Sequence, residues 1–128
     1  MEGPIPDSVA RFLAANIGSL EQLEILLLLA GQPGKDWSAD EVYEVIRSSR
    51  SSVVERLQEL RAQGLLEASA AAFRYAPHNA EAFATVTLLA GLYKERRVKI
   101  VEMIYSPPAI EPLKGFADAF KFKKEKEK

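Results

Sequence analysis

The sequence predicts a mainly α-helical domain that carries one small β-hairpin. Three observations lead there: helix-capping patterns recur at Ser19, Ser38 and Asn79, apolar residues repeat every three or four positions after each, and two short apolar segments face each other across residues 65–76. At 128 residues, with 48% apolar and 27% charged side chains, the chain has the size and composition of one globular domain.

Each element follows from local chemistry. Asp7 is placed to cap a first helix over 8–17, and Gly18 to close it. Ser19 opens a second helix as a capping box with Gln22, and its Leu-rich stretch runs to Ala30, where Gly31-Gln32-Pro33-Gly34 stops it. The greasiest run, Ile25–Ala30, is far shorter than the roughly 20 apolar residues a membrane span needs, so it reads as a buried helix. The N-terminus lacks the basic-then-apolar order of a signal peptide, and the expected location is the cytoplasm. Ser38 and Glu41 form another capping box, opening a short helix to about Arg47 whose inward face is Val42, Val45 and Ile46. After the polar break Ser48-Ser49-Arg50-Ser51, a helix runs from about Arg50 to Gln63 with Val53, Leu57 and Leu60 inward. Gly64 is placed to end it in a left-handed cap. Leu65–Ala68 and Phe73–Ala76 are the hairpin strands, around an Ala-rich tip. Asn79 then caps a long helix from Ala80 to about Tyr105, which Pro107-Pro108 ends. The expected division is 1–78, 79–106 for a long dimerisation or packing helix, and 107–128 for a Lys-rich tail that is frayed or disordered.

Helix, helix, short turn, helix and hairpin is the order of a winged helix-turn-helix. The stretch Ser51-Ser52-Val53-Val54-Glu55-Arg56-Leu57-Gln58-Glu59-Leu60-Arg61-Ala62-Gln63-Gly64-Leu65-Leu66 resembles the recognition helix and start of the wing in MarR-type bacterial transcription regulators. Trp37-Ser38-Ala39-Asp40-Glu41-Val42 is similar to the capped start of the preceding helix in that superfamily, so the resemblance spans roughly residues 19–76. It implies a DNA-binding regulator whose helix at about 50–63 enters the major groove, as a homodimer matching two half-sites. Carried over by position, the DNA-binding residues are Arg47, Ser48, Ser49, Arg50, Ser51, Ser52, Glu55 and Arg56, with Arg74 on the second strand. Serines suit phosphate oxygens, and Arg suits guanine O6 and N7. The resemblance also implies a small-molecule effector between the winged domain and the dimer helices.

The sequence departs from that family in charge. The exposed face expected for this helix is Ser51, Glu55, Gln58, Glu59 and Ala62, and Glu55 and Glu59 stand where Arg or Lys is common in the family. Residues 35–76 carry six basic side chains against seven acidic ones. The alternative is therefore a winged-helix module for protein–protein interaction that binds no DNA. Overall, 17 Lys and Arg stand against 18 Asp and Glu, which excludes coating of nucleic acid by charge alone. The imbalance is regional: residues 1–113 have 11 basic and 15 acidic side chains, whereas 114–128 have six Lys against three acids, interleaved with Phe116, Phe120 and Phe122.

Along the long helix, Phe83, Val86, Ala90, Tyr93, Arg97, Ile100 and Ile104 form a heptad-like stripe that predicts a dimer interface. Leu88, Leu89, Leu92 and Met103 form a second stripe beside it, and Lys94-Glu95-Arg96-Arg97 interrupts both.

Enzyme chemistry finds no footing. Cys is absent and His78 is the only histidine, so thiolate zinc sites, cysteine nucleophiles and histidine metal clusters are excluded. Gly31-Gln32-Pro33-Gly34-Lys35 has two residues between its glycines where a phosphate loop has four, and Asp36 where that loop needs Ser or Thr. Asp36, Asp40, Glu41 and Glu44 cluster, but Glu41 and Glu44 are explained by helix electrostatics. The expectation is no catalytic residue, no metal and no cofactor.

Overall fold

The computed structural model of the chain describes residues 4–106. In chain order these form α1 (Asp7–Asn16), α2 (Leu20–Ala30), β1 (Trp37–Ser38), α3 (Ala39–Ile46), α4 (Arg50–Ala62), β2 (Leu66–Ser69), β3 (Ala72–Tyr75), α5 (Ala80–Glu95) and α6 (Arg97–Tyr105). The architecture is mainly helical with a small three-stranded antiparallel sheet, and the tail 107–128 lies outside the described residues.

The caps set most helix starts. Ser38 accepts from the Glu41 amide while the Glu41 carboxylate accepts from the Ser38 amide, a complete capping box. Ser49 caps α4 through the Ser52 amide, and Asn79 caps α5 through the Ala82 amide. Two expectations change. Pro6, not Asp7, is the N-cap of α1, and Asp7 becomes its first-turn acid. Ser19 caps α2, but the Gln22 side chain turns away from a reciprocal box. Gln22 is buried, and its amide accepts from Gly18 N (2.7 Å) and donates to Asn16 O (2.9 Å), so it closes the α1–α2 corner. The chain bends by 115° there.

The core is built around α2. Leu23, Ile25, Leu26 and Leu29 have no exposed surface, and α3, α4, α5 and β3 pack around them. Val53, Leu57 and Leu60 are fully buried from α4, as their spacing predicts. Val42 fills the same core from α3, but Val45 is 55% exposed rather than inward, because α3 lies on the core with one narrow edge. Val9 and Leu13 of α1 and Trp37, Phe73 and Tyr75 of the sheet complete it. Among the described residues no single helix is long and apolar enough to cross a membrane.

The hairpin gains a third strand. β1 pairs with β3 (Trp37 opposite Phe73) and β3 with β2 (Leu66 opposite Tyr75), giving the order β1-β3-β2. Two residues leave no alternation to read, so β1 is invisible to periodicity. The tip is a two-residue turn in which Ala70 takes a positive φ of 52°.

The largest correction concerns the long helix. It is two helices, interrupted at Arg96 (φ −134°, ψ 48°), with neither Gly nor Pro at the break. Val86 and Leu89 of α5 and Ile100 and Met103 of α6 all enter the core, and both helices pack on α1. Tertiary packing here outweighs the helix propensity of Glu95-Arg96-Arg97.

Gly64 ends the α4 region with φ 80°, and a Cβ there would lie 2.9 Å from His78 Nδ1. His78 donates from that nitrogen to the Gly64 carbonyl (3.1 Å). Gly34 also has a positive φ, 90°, but open space around it. Gly34→Ala is therefore expected to cost about 1 kcal/mol for the left-handed backbone alone. Gly64→Ala should cost more by displacing His78 as well, and urea unfolding midpoints of the two variants test this order.

Candidate nucleic-acid interface

The α3–α4 corner is built by a left-handed Arg47 (φ 60°), which turns the chain out of α3, and by Ser49, which starts α4 three residues later. With Val53, Leu57 and Leu60 turned in, α4 presents Arg50, Ser51, Val54, Glu55, Gln58, Glu59 and Ala62 outward, all exposed. This contains the whole face expected from helical phase.

The structure places the predicted DNA-binding side chains in three different situations. Arg47 and Arg50 stay on the surface but are engaged. The Arg47 guanidinium bonds Glu44 (3.1 Å) and lies 5.4 Å from the Tyr43 ring centroid. That of Arg50 bonds Asp40 (3.2 Å) and lies 4.6 Å from the same ring. Arg74 on β3 bonds Asp36 (2.9 Å), and that hydrogen bond and charge hold the guanidinium still more firmly protonated.

Ser48, Ser52 and Arg56 turn inward instead, to Glu21 of α2. Both serine hydroxyls donate to its Oε2, Ser52 at 2.7 Å, and Arg56 Nη1 approaches Oε1 at 3.8 Å. Arg56 Nη2 also donates to Glu55 (3.1 Å) and Glu59 (3.0 Å), and its side chain is only 21% exposed. Ser49 is occupied as a cap. Of the serines in the cluster, Ser51 keeps an outward hydroxyl with no protein hydrogen bond among the described residues. Glu55 is exposed beside Arg56.

Glu21 is the residue that sequence reasoning missed. It appears in the sequence only as an acid ahead of a Leu run, yet its carboxylate joins α2, the α3–α4 corner and α4. Its partners lie 27–35 positions away, so no local pattern announces it.

One turn further along α2, Glu24 accepts from Tyr93 Oη (2.9 Å) and lies 3.6 Å from Arg97 Nη2. Burial first, then this bond and charge, push the Tyr93 phenol above its ordinary value. Of the stripe expected to form a dimer interface, Val86 and Ile100 are fully buried within the chain and have no surface to offer a partner. Ala90, Tyr93 and Ile104 are half-buried, Arg97 is exposed, and Phe83 is 52% exposed beside Tyr75 (ring centroids 6.4 Å apart).

Between α1 and the start of α5 lies an open cleft of about 300 Å³, lined by Arg11, Phe12, Gln63, His78, Glu81 and Thr85 among others. The Gln63 amide donates to Asn16 O (2.9 Å), while its buried oxygen has no partner. No group of three or more His, Asp or Glu among the described residues is arranged to hold a metal ion. No family model matches the sequence, and comparison with curated proteins and with solved structures finds no match either.

Glu21→Ala should remove two hydroxyl bonds to a largely buried carboxylate and cost about 1–3 kcal/mol. Glu55→Ala, on the open face, should stay within about 0.5 kcal/mol of the parent. Equal unfolding midpoints for the two variants would contradict the role given to Glu21.

Proposed function

We propose that the chain is a winged helix-turn-helix regulator of MarR-like type that binds duplex DNA through α4, as a homodimer in the cytoplasm. The observation that carries this reading is the presentation of α4: a capped, 13-residue helix seated on α2 and α3, its N-terminal turn exposed, and a small sheet following directly. A helix that enters the major groove needs such a presentation. Arg47 and Arg50 at the start of α4, with Arg74 on β3, supply the cations. Exposed ion pairs are worth about 0–1 kcal/mol, so exchanging Glu44, Asp40 or Asp36 for a phosphate costs little. Tyr43 keeps both guanidinium groups of the corner close to the helix start during that exchange. The carboxylates left behind weaken binding and make it strongly salt-dependent. In this reading a small-molecule effector is assigned to the cleft between α1 and α5.

A second reading has its own support. All four arginines of the face are paired with carboxylates, and Val54, Glu55 and Glu59 stand exposed between them. That mixed, charge-balanced surface suits a protein partner, making the chain a winged-helix interaction module without DNA binding.

Titration of a random duplex across a salt series separates the two. With three Arg of each protomer on phosphates, the α4 face should make log K fall against log salt with a slope of about −3 per protomer, and Arg50→Ala should weaken binding about tenfold. No binding at low salt would overturn the DNA reading in favour of the second. The homodimer rests on Phe83 and Leu88, which remain 52% and 43% exposed along α5. Sedimentation at rising concentration should show a dimer that Phe83→Glu dissociates; a monomer at every concentration would refute it.

A further inference from the structure

Positive charge on the described chain is densest away from α4, at the corner where α5 ends and α6 begins. Lys94, Arg96, Arg97 and Lys99 fall within six residues there, against Glu95 alone inside the segment. They line a shallow depression of about 430 Å³ at the break at Arg96, together with Glu95, Glu102 and Val98, the last 72% exposed. Among the described residues neither Lys94 nor Lys99 has an ion-pair partner, in contrast to the arginines beside α4.

The corner is tied to the α4 face through α2. Arg97 reaches Glu24 (3.6 Å) and stacks 5.1 Å from the Tyr93 ring centroid, while Tyr93 bonds the same carboxylate. Glu21, three residues earlier on α2, holds Ser52 and Arg56 of α4. Residues three apart on a helix are neighbours, with about 5–6 Å between their Cβ atoms. The cationic corner and the first turns of α4 therefore flank one narrow strip of α2. A helix seated in a major groove about 12 Å wide has a phosphate strand on either side.

We propose that the α5–α6 corner is a phosphodiester-backbone site, in which Lys94, Arg97 and Lys99 contact the strand bordering the groove that α4 occupies. The inference rests on the DNA reading of α4 and supplies the positive charge that face lacks. An anionic membrane would attract the same cations. One exposed Val among them, however, is far less than the apolar face an interfacial helix buries, so nucleic acid is the better match.

The test uses the full chain, a labelled random duplex and a salt series, with a Lys94→Ala/Lys99→Ala double variant beside Arg50→Ala. Both lysines are exposed, so thermal unfolding of the double variant should match the parent. The expected result is a salt slope smaller by about 2 per protomer and affinity at low salt about 10–100-fold weaker. Parent binding with an unchanged slope in the double variant would overturn the corner and leave the α4 reading standing. A loss confined to the double variant, with Arg50→Ala unaffected, would show phosphate binding at the corner but overturn its placement beside a groove occupied by α4. No duplex binding by the parent would overturn both, and phosphatidylserine vesicles that bind the parent but not the double variant would then assign the corner to anionic lipid.

Discussion

Helix α2 is apolar around most of its circumference, and that single constraint organises the rest of the chain. Leu23, Ile25, Leu26 and Leu29 have no exposed surface, and no one partner can cover a helix whose buried residues point in several directions. Each such side chain contributes about 1.5–3 kcal/mol when fully buried. Surrounding it takes α4 and α3, α5, and the inner strand β3. Once α4 is drawn onto α2 by Val53, Leu57 and Leu60, its opposite face is exposed by geometry alone. The exposed face is thus a by-product of core formation, and its position does not depend on what it binds.

Charge then decides what the exposed face can do. The acids of α2 act as fixed posts beneath the surface: Glu21 gathers Ser48, Ser52 and Arg56, and Glu24 gathers Tyr93 and Arg97. Ser48, Ser52 and Arg56, which look like ligand contacts in a linear reading, are thereby committed to holding the α3–α4 corner together. A carboxylate accepting several hydrogen bonds is a strong organiser, because its donors would otherwise lose their water without replacement. Arg47, Arg50 and Arg74 are different, since their pairs are exposed and readily exchanged. The same surface therefore contains an inner layer gathered on Glu21 and an outer layer of exposed ion pairs.

The order of helices and small sheet is compatible with a winged helix, and it does not dictate this charge distribution. Glu55 and Glu59 remain on the outer face of α4, and Lys94 and Lys99, without an ion-pair partner among the described residues, sit at the α5–α6 corner that helix periodicity conceals. Reading Phe83 to Ile104 as one continuous stripe joins residues that the break at Arg96 directs to different places. Val86 and Ile100 go to the core, while Arg97 goes to Glu24.

By itself the sequence determined what depends on neighbours within a few positions. Ser38 with Glu41, Ser49 and Asn79 mark helix starts because a cap is a bond across three residues, and Val53, Leu57 and Leu60 declare their face because helical phase is local. Gly64 likewise marks the end of α4 through its own φ. Only the tertiary structure decided the rest. The two-residue strand β1 exists because β3 pairs with it, and the break at Arg96 exists where both halves of a helix pack into one core. Which arginine is free to leave its carboxylate also depends on partners such as Glu21 and Asp40, brought close by folding. The reason is common to all three: pairing and burial energies come from contacts between distant segments, and local spacing carries no record of them.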